Sequence, residues 1–206
     1  MYARSSTFQG DPVRMDAGID FVRDRVMPSL QQIEGCIGVS QIVNRETGRT
    51  IITSAWRDED ALRDSDVLVT DLRDRGADIM GGQASVEVWE IAALHRIHES
   101  GPGACVRATW SHVDPAFAER SIDNYRMVLL PAMEELPGFC SASLLVDRRS
   151  GRAVSSVTYA TRDAMERSRD SANSMRRIAV EENDLHILEV GEFDLALAHL
   201  RVPETV

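Results

Sequence analysis

The sequence has few cysteines and no long apolar run, and these absences narrow the classes of protein to which it can belong. Its three cysteines, Cys36, Cys105 and Cys140, are odd in number and lack CxxC spacing, which argues against a disulfide framework or a thiolate zinc site. We therefore interpret them as buried free thiols. No stretch of about 18 consecutive apolar residues occurs, and the N-terminal MYARSSTFQG lacks the apolar core of a signal peptide. We expect a cytoplasmic location and no membrane partner.

Basic residues are outnumbered, which limits the partners that the chain can attract. The 206 residues, 43% of them apolar, include 33 acidic and 23 basic side chains and carry a formal charge of -10. This charge repels nucleic acid and anionic membranes, and no local basic patch offsets it. The glycine-rich phosphate loop, the GxSxG motif and the HExxH motif do not occur in the sequence. We therefore expect no nucleic-acid partner, no metal and no cofactor.

The sequence repeats itself. A shift of 103 positions aligns residues 4–66 with residues 107–169 without a gap, and 16 of the 63 aligned positions are identical, whereas chance gives about four. With one deletion the shift becomes 102 and aligns residues 86–91 with 188–193, which matches Glu90 with Glu192. Self-similarity at a fixed period indicates repeated structural units. The chain is therefore two copies of one module.

Each copy is predicted to run strand, helix, strand, strand, helix, strand. After an Asp-Pro step that favours a helix start, apolar residues recur at spacings of three and four, namely Ile19, Val22, Val26, Leu30 and Ile33 in the first copy and Ile122, Tyr125, Leu129, Met133 and Leu136 in the second. Pro28 and Pro131 lie inside these helices and predict a kink in each. An aligned glycine, Gly48 or Gly151, predicts a hairpin turn with positive φ.

The repeat also predicts the domain organisation. A first module covers residues 1–94, a linker 95–103, a second module 104–197 and a tail 198–206. The order βαββαβ is that of the ferredoxin-like fold, whose sheet carries both helices on one face. Two copies can cover each other's open sheet faces, so we predict an α+β protein of tandem ferredoxin-like repeats, an intramolecular pseudo-dimer. Further oligomerisation stays open.

One stretch of the first copy carries a family resemblance. The run from Pro28 to Gly35, the hairpin after it and the segment SAWRDEDAL (54–62) resemble the antibiotic biosynthesis monooxygenase-type module. The most similar part is Trp56 at a strand end, followed by acidic residues and an Ala-Leu helix start, whereas Tyr159 replaces the tryptophan in the second copy. The resemblance implies an intramolecular dimeric α/β barrel and a cofactor-independent monooxygenase acting on an aromatic or polyketide-like substrate.

Six residues are candidates for binding a small-molecule ligand: Arg4, Trp56, Trp89, Arg107, His112 and Tyr159. The strand order that the resemblance implies makes the first and last strands of a module neighbours. We therefore predict Arg4 within salt-bridge distance of Glu87, and Arg107 within the same distance of Glu189. Such pairs either orient a polar ligand or fix strand register.

The other candidates have alternatives of the same kind. The aromatic side chains either line a cavity or fill the core, and His112 either joins a cluster of ligands at one sheet end or lies at the surface.

Two classes of function remain open at this stage. The first is the cofactor-independent oxygenase, in which an electron-rich phenolate or hydroquinone reduces oxygen itself while the protein excludes water and stabilises the anion with residues such as Arg4 or Arg107. The second is a non-catalytic ligand-binding or stress-associated protein, and haem binding or degradation is a further alternative. A cavity above about 300 Å³ with converging polar groups would favour the first class.

The two copies diverge at several strand positions, and this divergence predicts that any activity lies in one module. Trp56 aligns with Tyr159, Trp89 with Gly191, Thr7 with Trp110 and Gln9 with His112, whereas the Asp-Pro step, the helix proline and the hairpin glycine are unchanged. Fusion removes the requirement that two sites be identical, because one chain now supplies both copies. We therefore expect two cavities of different volume and lining.

Overall fold

A computed structural model describes residues 1–200 of the chain, except for the side chains of Asn183 and Leu200. The predicted order of elements is confirmed in both copies. The first copy contains β1 (Tyr2–Gln9), α1 (Met15–Phe21), α2 (Met27–Gln31), β2 (Cys36–Asn44), β3 (Arg49–Trp56), α3 (Glu59–Asp64), α4 (Asp66–Met80) and β4 (Gln83–Arg96). The second contains β5 (Cys105–His112), α5 (Ala118–Asn124), α6 (Leu130–Glu134), β6 (Phe139–Asp147), β7 (Arg152–Tyr159), α7 (Arg162–Arg167), α8 (Arg169–Asn183) and β8 (His186–Leu200). None of the helices within residues 1–200 is long and apolar enough to cross a membrane.

The first helical region of each copy is interrupted just before its proline. Asp11 and Asp114 start it, each accepting a hydrogen bond from the backbone N–H two residues later, at 2.9 and 2.8 Å. Residues Val22–Val26 and Tyr125–Leu129 then form π-helical turns, each closed by an N–H that donates to the carbonyl five residues back. Proline has no N–H for the ordinary helical bond, and such wide turns are one way in which a helix accommodates this loss. The predicted kink is thus a π-turn in both copies.

The second helical region of each copy begins at a side-chain cap and breaks after six residues. Asp58 and Thr161 accept hydrogen bonds from the backbone N–H three residues later, at 2.8 and 3.1 Å. Helices α3 and α7 then end at the aligned residues Ser65 and Ser168, and α4 and α8 continue from there for 15 residues each. Each break leaves backbone carbonyl groups without helical partners.

The aligned hairpin glycines have the predicted positive φ. Gly48 has a φ of 75° and Gly151 a φ of 72°. A Cβ atom at these positions would lie 2.2 Å from the Gly10 carbonyl oxygen and 1.9 Å from the Val113 carbonyl oxygen, respectively. The left-handed backbone requires glycine at this turn, and so does the close approach of the segment that follows β1 or β5.

The strands form a closed antiparallel barrel in the order β1-β3-β2-β8-β5-β7-β6-β4. The two hairpins have equivalent registers, with Gln41 opposite Ile52 in β2–β3 and Leu144 opposite Ser155 in β6–β7. In the strand order, the last strand of each copy is next to the first strand of the same copy, as the ferredoxin-like motif requires. The predicted α+β class and α/β barrel are confirmed.

The last strand of each copy has a different register from that of the sequence alignment. Val43 pairs with Asp194, and its aligned residue Val146 pairs with Glu90. Glu90 is therefore structurally equivalent to Asp194, not to Glu192 as the shift of 102 implied. Both ladders contain a bulge at the equivalent place, near Ile91 in one and near Gln41 in the other, and Ala93 is equivalent to Leu197 on its far side, so the bulges do not cause the displacement. A short match of glutamates could not reveal this displacement.

The described chain divides into two compact units. The first unit comprises residues 1–89 and 193–200, and the second comprises residues 90–192. The units differ from the predicted modules because each contains the end of the other copy's last strand. Of the predicted linker, residues 95 and 96 belong to β4, and of the predicted tail, residues 198–200 belong to β8, while the remaining tail lies outside the described residues. Each unit has a core between its helices and its strands, with Trp56 in the first and Tyr159 in the second.

Candidate functional site

Arg4 and Arg107 occupy equivalent buried positions, and both reach to the helix break of their own unit. Each guanidinium donates to the serine hydroxyl at the break, Arg4 to Ser65 at 2.7 Å and Arg107 to Ser168 at 2.9 Å. Each also donates to the carbonyl three residues before that serine, at 2.7 and 2.8 Å. These bonds satisfy carbonyl groups that the interrupted helix leaves open. The repeated arginine is therefore a clamp on the repeated helix break.

The acidic partners of the two arginines are not the predicted ones. Arg4 forms an ion pair with Asp66, and Arg107 forms one with Glu192 at 2.9 Å. The predictions of Glu87 and Glu189 for these positions are wrong because side chains alternate between the two faces of a strand. Trp89 donates to Ser5 at 2.9 Å, and Ser5 points to the opposite face from its neighbour Arg4. Glu87, two residues before Trp89, points to that opposite face as well.

Each arginine also lies over the aromatic residue at the end of the third strand. The guanidinium carbon of Arg4 is 5.9 Å from the ring centre of Trp56, and that of Arg107 is 5.6 Å from the ring centre of Tyr159. The Tyr159 hydroxyl additionally accepts a bond from Arg107 at 3.5 Å. In the second unit the donors of Arg107 are thus shared among Glu192, Tyr159, Ser168 and a backbone carbonyl. The guanidinium of Arg107 is therefore occupied by hydrogen bonds within the protein.

The second unit contains a cavity of about 100 Å³ between its helices and the strands β5, β6 and β7. Much of the lining is apolar and includes Ile122, Leu129, Met133, Leu144, Val157 and Met175. Polar side chains interrupt this lining and include Thr109, Ser111, Asn124, Tyr125, Ser155 and Arg176. The π-turn brings Tyr125 and Leu129 to the cavity wall. An apolar space with a few polar groups is the usual form of a small-molecule site.

The equivalent space in the first unit is filled by larger side chains. Only about 30 Å³ remains there, beside Phe8, Phe21 and Ile52. These three residues align with Ser111, Asn124 and Ser155, which all line the larger cavity. The buried Met15 likewise aligns with Ala118. The cavity of the second unit therefore arises from several coordinated reductions in side-chain volume, not from a different backbone.

The cavity wall includes a tyrosine and an aspartate whose pKa values are shifted away from neutrality. Burial raises the pKa of Tyr125 to about 12, and its hydroxyl donates to the Ser143 carbonyl at 3.2 Å while accepting from Ser155 at 3.3 Å. Asp147 is at the hairpin end of the cavity, where hydrogen bonding by Ser150 lowers the pKa of its carboxyl group. Histidine and cysteine do not occur among the residues that line the cavity. The wall can bind and orient a ligand, but it offers no general base poised near pH 7.

The structure brings together two of the six candidate residues, Arg107 and Tyr159, at the cavity of the second unit. Arg4 and Trp56 occupy the equivalent places in the first unit, where Trp56 is fully buried and donates to Ser54 at 3.0 Å. The remaining two candidates, Trp89 and His112, line neither of the two spaces described above. Within residues 1–200, no group of three or more His, Cys, Asp or Glu side chains is arranged to hold a metal ion.

Sequence reasoning missed several residues of the cavity wall, among them Ser111, Tyr125 and Arg176. The signal for Arg176 was present, because the shift of 103 continues through the second helical region and aligns it with Arg73. Both arginines line the space of their own unit. The local sequence does not indicate the role of Ser111, because a serine in a strand lines a cavity only where the surrounding side chains leave a space unfilled.

Comparison with known proteins gives close relatives and a clear structural likeness. No protein-family model matches the chain. The uncharacterised protein Rv2557 of Mycobacterium tuberculosis is 53% identical over 206 residues, covering 100% of this chain and 92% of the relative. The uncharacterised protein Rv2558 of the same organism is 52% identical over 207 residues, covering 100% of this chain and 88% of the relative.

Solved structures resemble the chain over nearly its whole length at low sequence identity. A Fusobacterium nucleatum protein with a provisional monooxygenase assignment has a TM-score of 0.73 at 14% identity, covering 97% of this chain and 94% of its own. An anthrone oxidase-like protein has a TM-score of 0.67 at 15% identity, covering 99% and 94%. A Listeria monocytogenes ferredoxin-fold protein related to antibiotic biosynthesis monooxygenases has a TM-score of 0.55 at 10% identity, covering 95% and 94%. At these identities the likeness establishes the fold.

Proposed function

Since the chain belongs to the family of the mycobacterial proteins Rv2557 and Rv2558 and has the fold of antibiotic biosynthesis monooxygenase-like proteins, we propose that its second unit binds a small aromatic molecule and oxidises it with O₂ without a cofactor. The observation that carries this proposal is the cavity of about 100 Å³, whose counterpart in the first unit is filled. An apolar cavity of about 150 Å³ in another protein is sufficient to hold benzene. The space here, at about 100 Å³, is somewhat smaller and therefore suits a ligand of a single ring.

The chemistry follows from what the cavity wall contains and lacks. Because the wall contains neither histidine nor cysteine, the substrate has to supply its own ionised, electron-rich form, as a phenol or hydroquinone does. For a phenol, one oxygen atom of O₂ becomes a second carbonyl oxygen on the ring, and the other leaves as water with the hydrogen of that ring carbon and the hydrogen of the hydroxyl group. The protein excludes water with its apolar wall and holds the ring in place. The hydroxyl groups of Thr109 and Ser111 are available to orient the substrate oxygen.

A second function is non-catalytic binding of the same kind of ligand. It is favoured by the cavity volume, which is below the approximately 300 Å³ typical of ligand pockets, and by the lack of a general base. Haem degradation is not proposed, because a haem group is far larger than this space and its lining contains no histidine.

The test uses phenol as the probe, with binding followed by equilibrium dialysis and turnover by O₂ consumption and 1,4-benzoquinone formation. Binding with equal amounts of O₂ consumed and quinone formed supports the oxygenase. Binding without O₂ consumption supports the non-catalytic function. If phenol does not bind, both are rejected for this ligand class.

The position of the site is tested by a substitution that gives the second unit the residue found at the aligned position of the first unit. We expect Ser111→Phe to weaken phenol binding by about ten-fold or more, because the new ring occupies the cavity. Ser171→Phe, which adds the same ring at an exposed position of α8, is the matched control and should bind as the unaltered protein does. Circular dichroism and the thermal midpoint establish that both variants are folded. Unchanged binding in folded Ser111→Phe would place the ligand elsewhere.

A further inference from the structure

The second arginine of the cavity wall, Arg176, differs from Arg107 in its partners. Arg176 is half-buried on α8 and lines the cavity. Its guanidinium donates to the side chain of Asn173, one turn earlier on the same helix. Within the described part of the chain it has no acidic side chain at salt-bridge distance. A positive charge therefore lies at an apolar cavity without a carboxylate of its own.

The surroundings of Arg176 make this charge available to a ligand. Burial lowers the pKa of Arg176, and the nearby positive charge of Arg107 lowers it further, although arginine stays charged at neutral pH. The negative charge of Glu192 acts in the opposite direction, but this carboxylate is already shared between Arg107 at 2.9 Å and Arg169 at 3.3 Å. A negative group placed in the cavity would thus meet a guanidinium whose remaining donors have no acidic acceptor.

We propose that the ligand of the second unit is a singly charged, planar anion whose ionised oxygen is held by Arg176. This inference rests on the proposed function, because it assigns the ligand class of the same cavity. A planar guanidinium binds an oxyanion through charge-assisted hydrogen bonds, which are stronger than neutral ones. The apolar wall made by Leu129, Leu144 and Met175 contacts the ring, while Arg176 contacts the charge. In the oxygenase, Arg176 would favour the phenolate over the phenol and so would supply the reactive form.

The first unit provides a built-in control. Arg73, the aligned arginine of α4, donates to Thr70 at 3.0 Å and lines a space of only about 30 Å³. Loss of its charge should not affect binding of a ring-sized anion. Arg107 is unsuitable as a control, because its removal would disturb the helix break.

The experiment compares 4-nitrophenolate with nitrobenzene, a neutral molecule of similar shape, at a pH at which the first probe is ionised. We expect the unaltered protein to bind the anion about ten-fold or more tightly than nitrobenzene. Arg176→Gln should abolish this preference while nitrobenzene binding changes little. Arg176→Lys should restore part of it, and Arg73→Gln should retain all of it.

The outcomes separate this inference from the proposed function. If both probes bind with equal affinity, or if folded Arg176→Gln keeps the preference for the anion, the assignment of Arg176 is wrong while the cavity remains a binding site. If neither probe binds, the inference fails, and if phenol does not bind either, the proposed function fails with it. Loss of the preference in Arg73→Gln would place the anion in the first unit and would also overturn the inference.

Discussion

The two units of this chain have the same elements and the same buried arginine clamp, yet one is filled and the other is hollow. In the first unit, Phe8 and Met15 are almost fully buried, at 1% and 2% exposure. Their counterparts Ser111 and Ala118 leave part of the cavity of about 100 Å³. The comparison teaches that a duplicated fold can specialise through side-chain volume alone. The filled copy has a packed core, and the hollow copy has the space in which we propose that a ligand binds.

The largest expected effect tests whether the first unit is indeed the stabilising one. Phe8→Ala should lower the free energy of unfolding by about 3–5 kcal/mol, because it creates a cavity in a packed core. The same change at the aligned position, Ser111→Ala, should alter it by less than about 1 kcal/mol, because the cavity already exists. Chemical denaturation of the two variants measures both values. Equal losses would remove the contrast between a filled and a hollow unit.

A second pair of variants compares the arginine clamps. Arg107→Met should destabilise the protein by about 3 kcal/mol, because it leaves the partly buried Glu192 with less neutralising charge and the Met165 carbonyl with the Ser168 hydroxyl as its remaining donor. Arg4→Met should cost less, about 1–2 kcal/mol, because its acidic partner Asp66 is 63% exposed and can be hydrated. The same denaturation experiment ranks them. Equal losses would show that the serine and carbonyl bonds, which both arginines make, and not the carboxylate, dominate the clamp.

The smallest expected effect concerns pH. Hydrogen bonding by Arg148 lowers the pKa of Glu90, so this carboxyl group contributes stability above its unfolded pKa of about 4.3, and the contribution is lost as the pH falls through the lower, folded value. Glu90→Gln should therefore flatten the decline of stability in acid by less than about 1 kcal/mol. Denaturation at pH values between about 3 and 7 measures the slope. The matched variant Asp194→Asn alters the equivalent pair, in which Arg45 and Asp194 are 3.9 Å apart, and should change the slope less.

Much of the fold could be predicted from the sequence, because reading one pattern twice removes ambiguity. The caps at Asp11 and Asp58, the interruption before Pro28 and the positive φ of Gly48 each depend on the chemistry of one residue and its near neighbours. Each also recurs at the aligned position of the second copy. Local rules of this kind do not require knowledge of tertiary packing.

The candidate site was less accessible to sequence reasoning, for two physical reasons. The partner of Arg107 depends on which of Glu189 and Glu192 shares its face of the sheet, and this is decided by the pairing of strands that are distant in sequence. The cavity depends on the summed volumes of residues from separate elements, such as Ser111, Ala118 and Ser155. The prediction of asymmetry agrees with the two volumes, but its cavity positions Thr7/Trp110 and Gln9/His112 are not at either space.

The path of the last strand has a consequence for how this chain can be cut or rearranged. Residues 193–200 are the far end of β8, yet they belong to the compact unit of residues 1–89, where they pair with β2. A gene fragment ending at the linker would encode β2 without this neighbour and would leave its hydrogen-bonding edge open to aggregation. The duplicated segments are therefore not independent units of expression. A shortened chain intended to isolate the filled copy would need residues 193–200 grafted onto it, and the hollow copy would need the same treatment with residues 90–96.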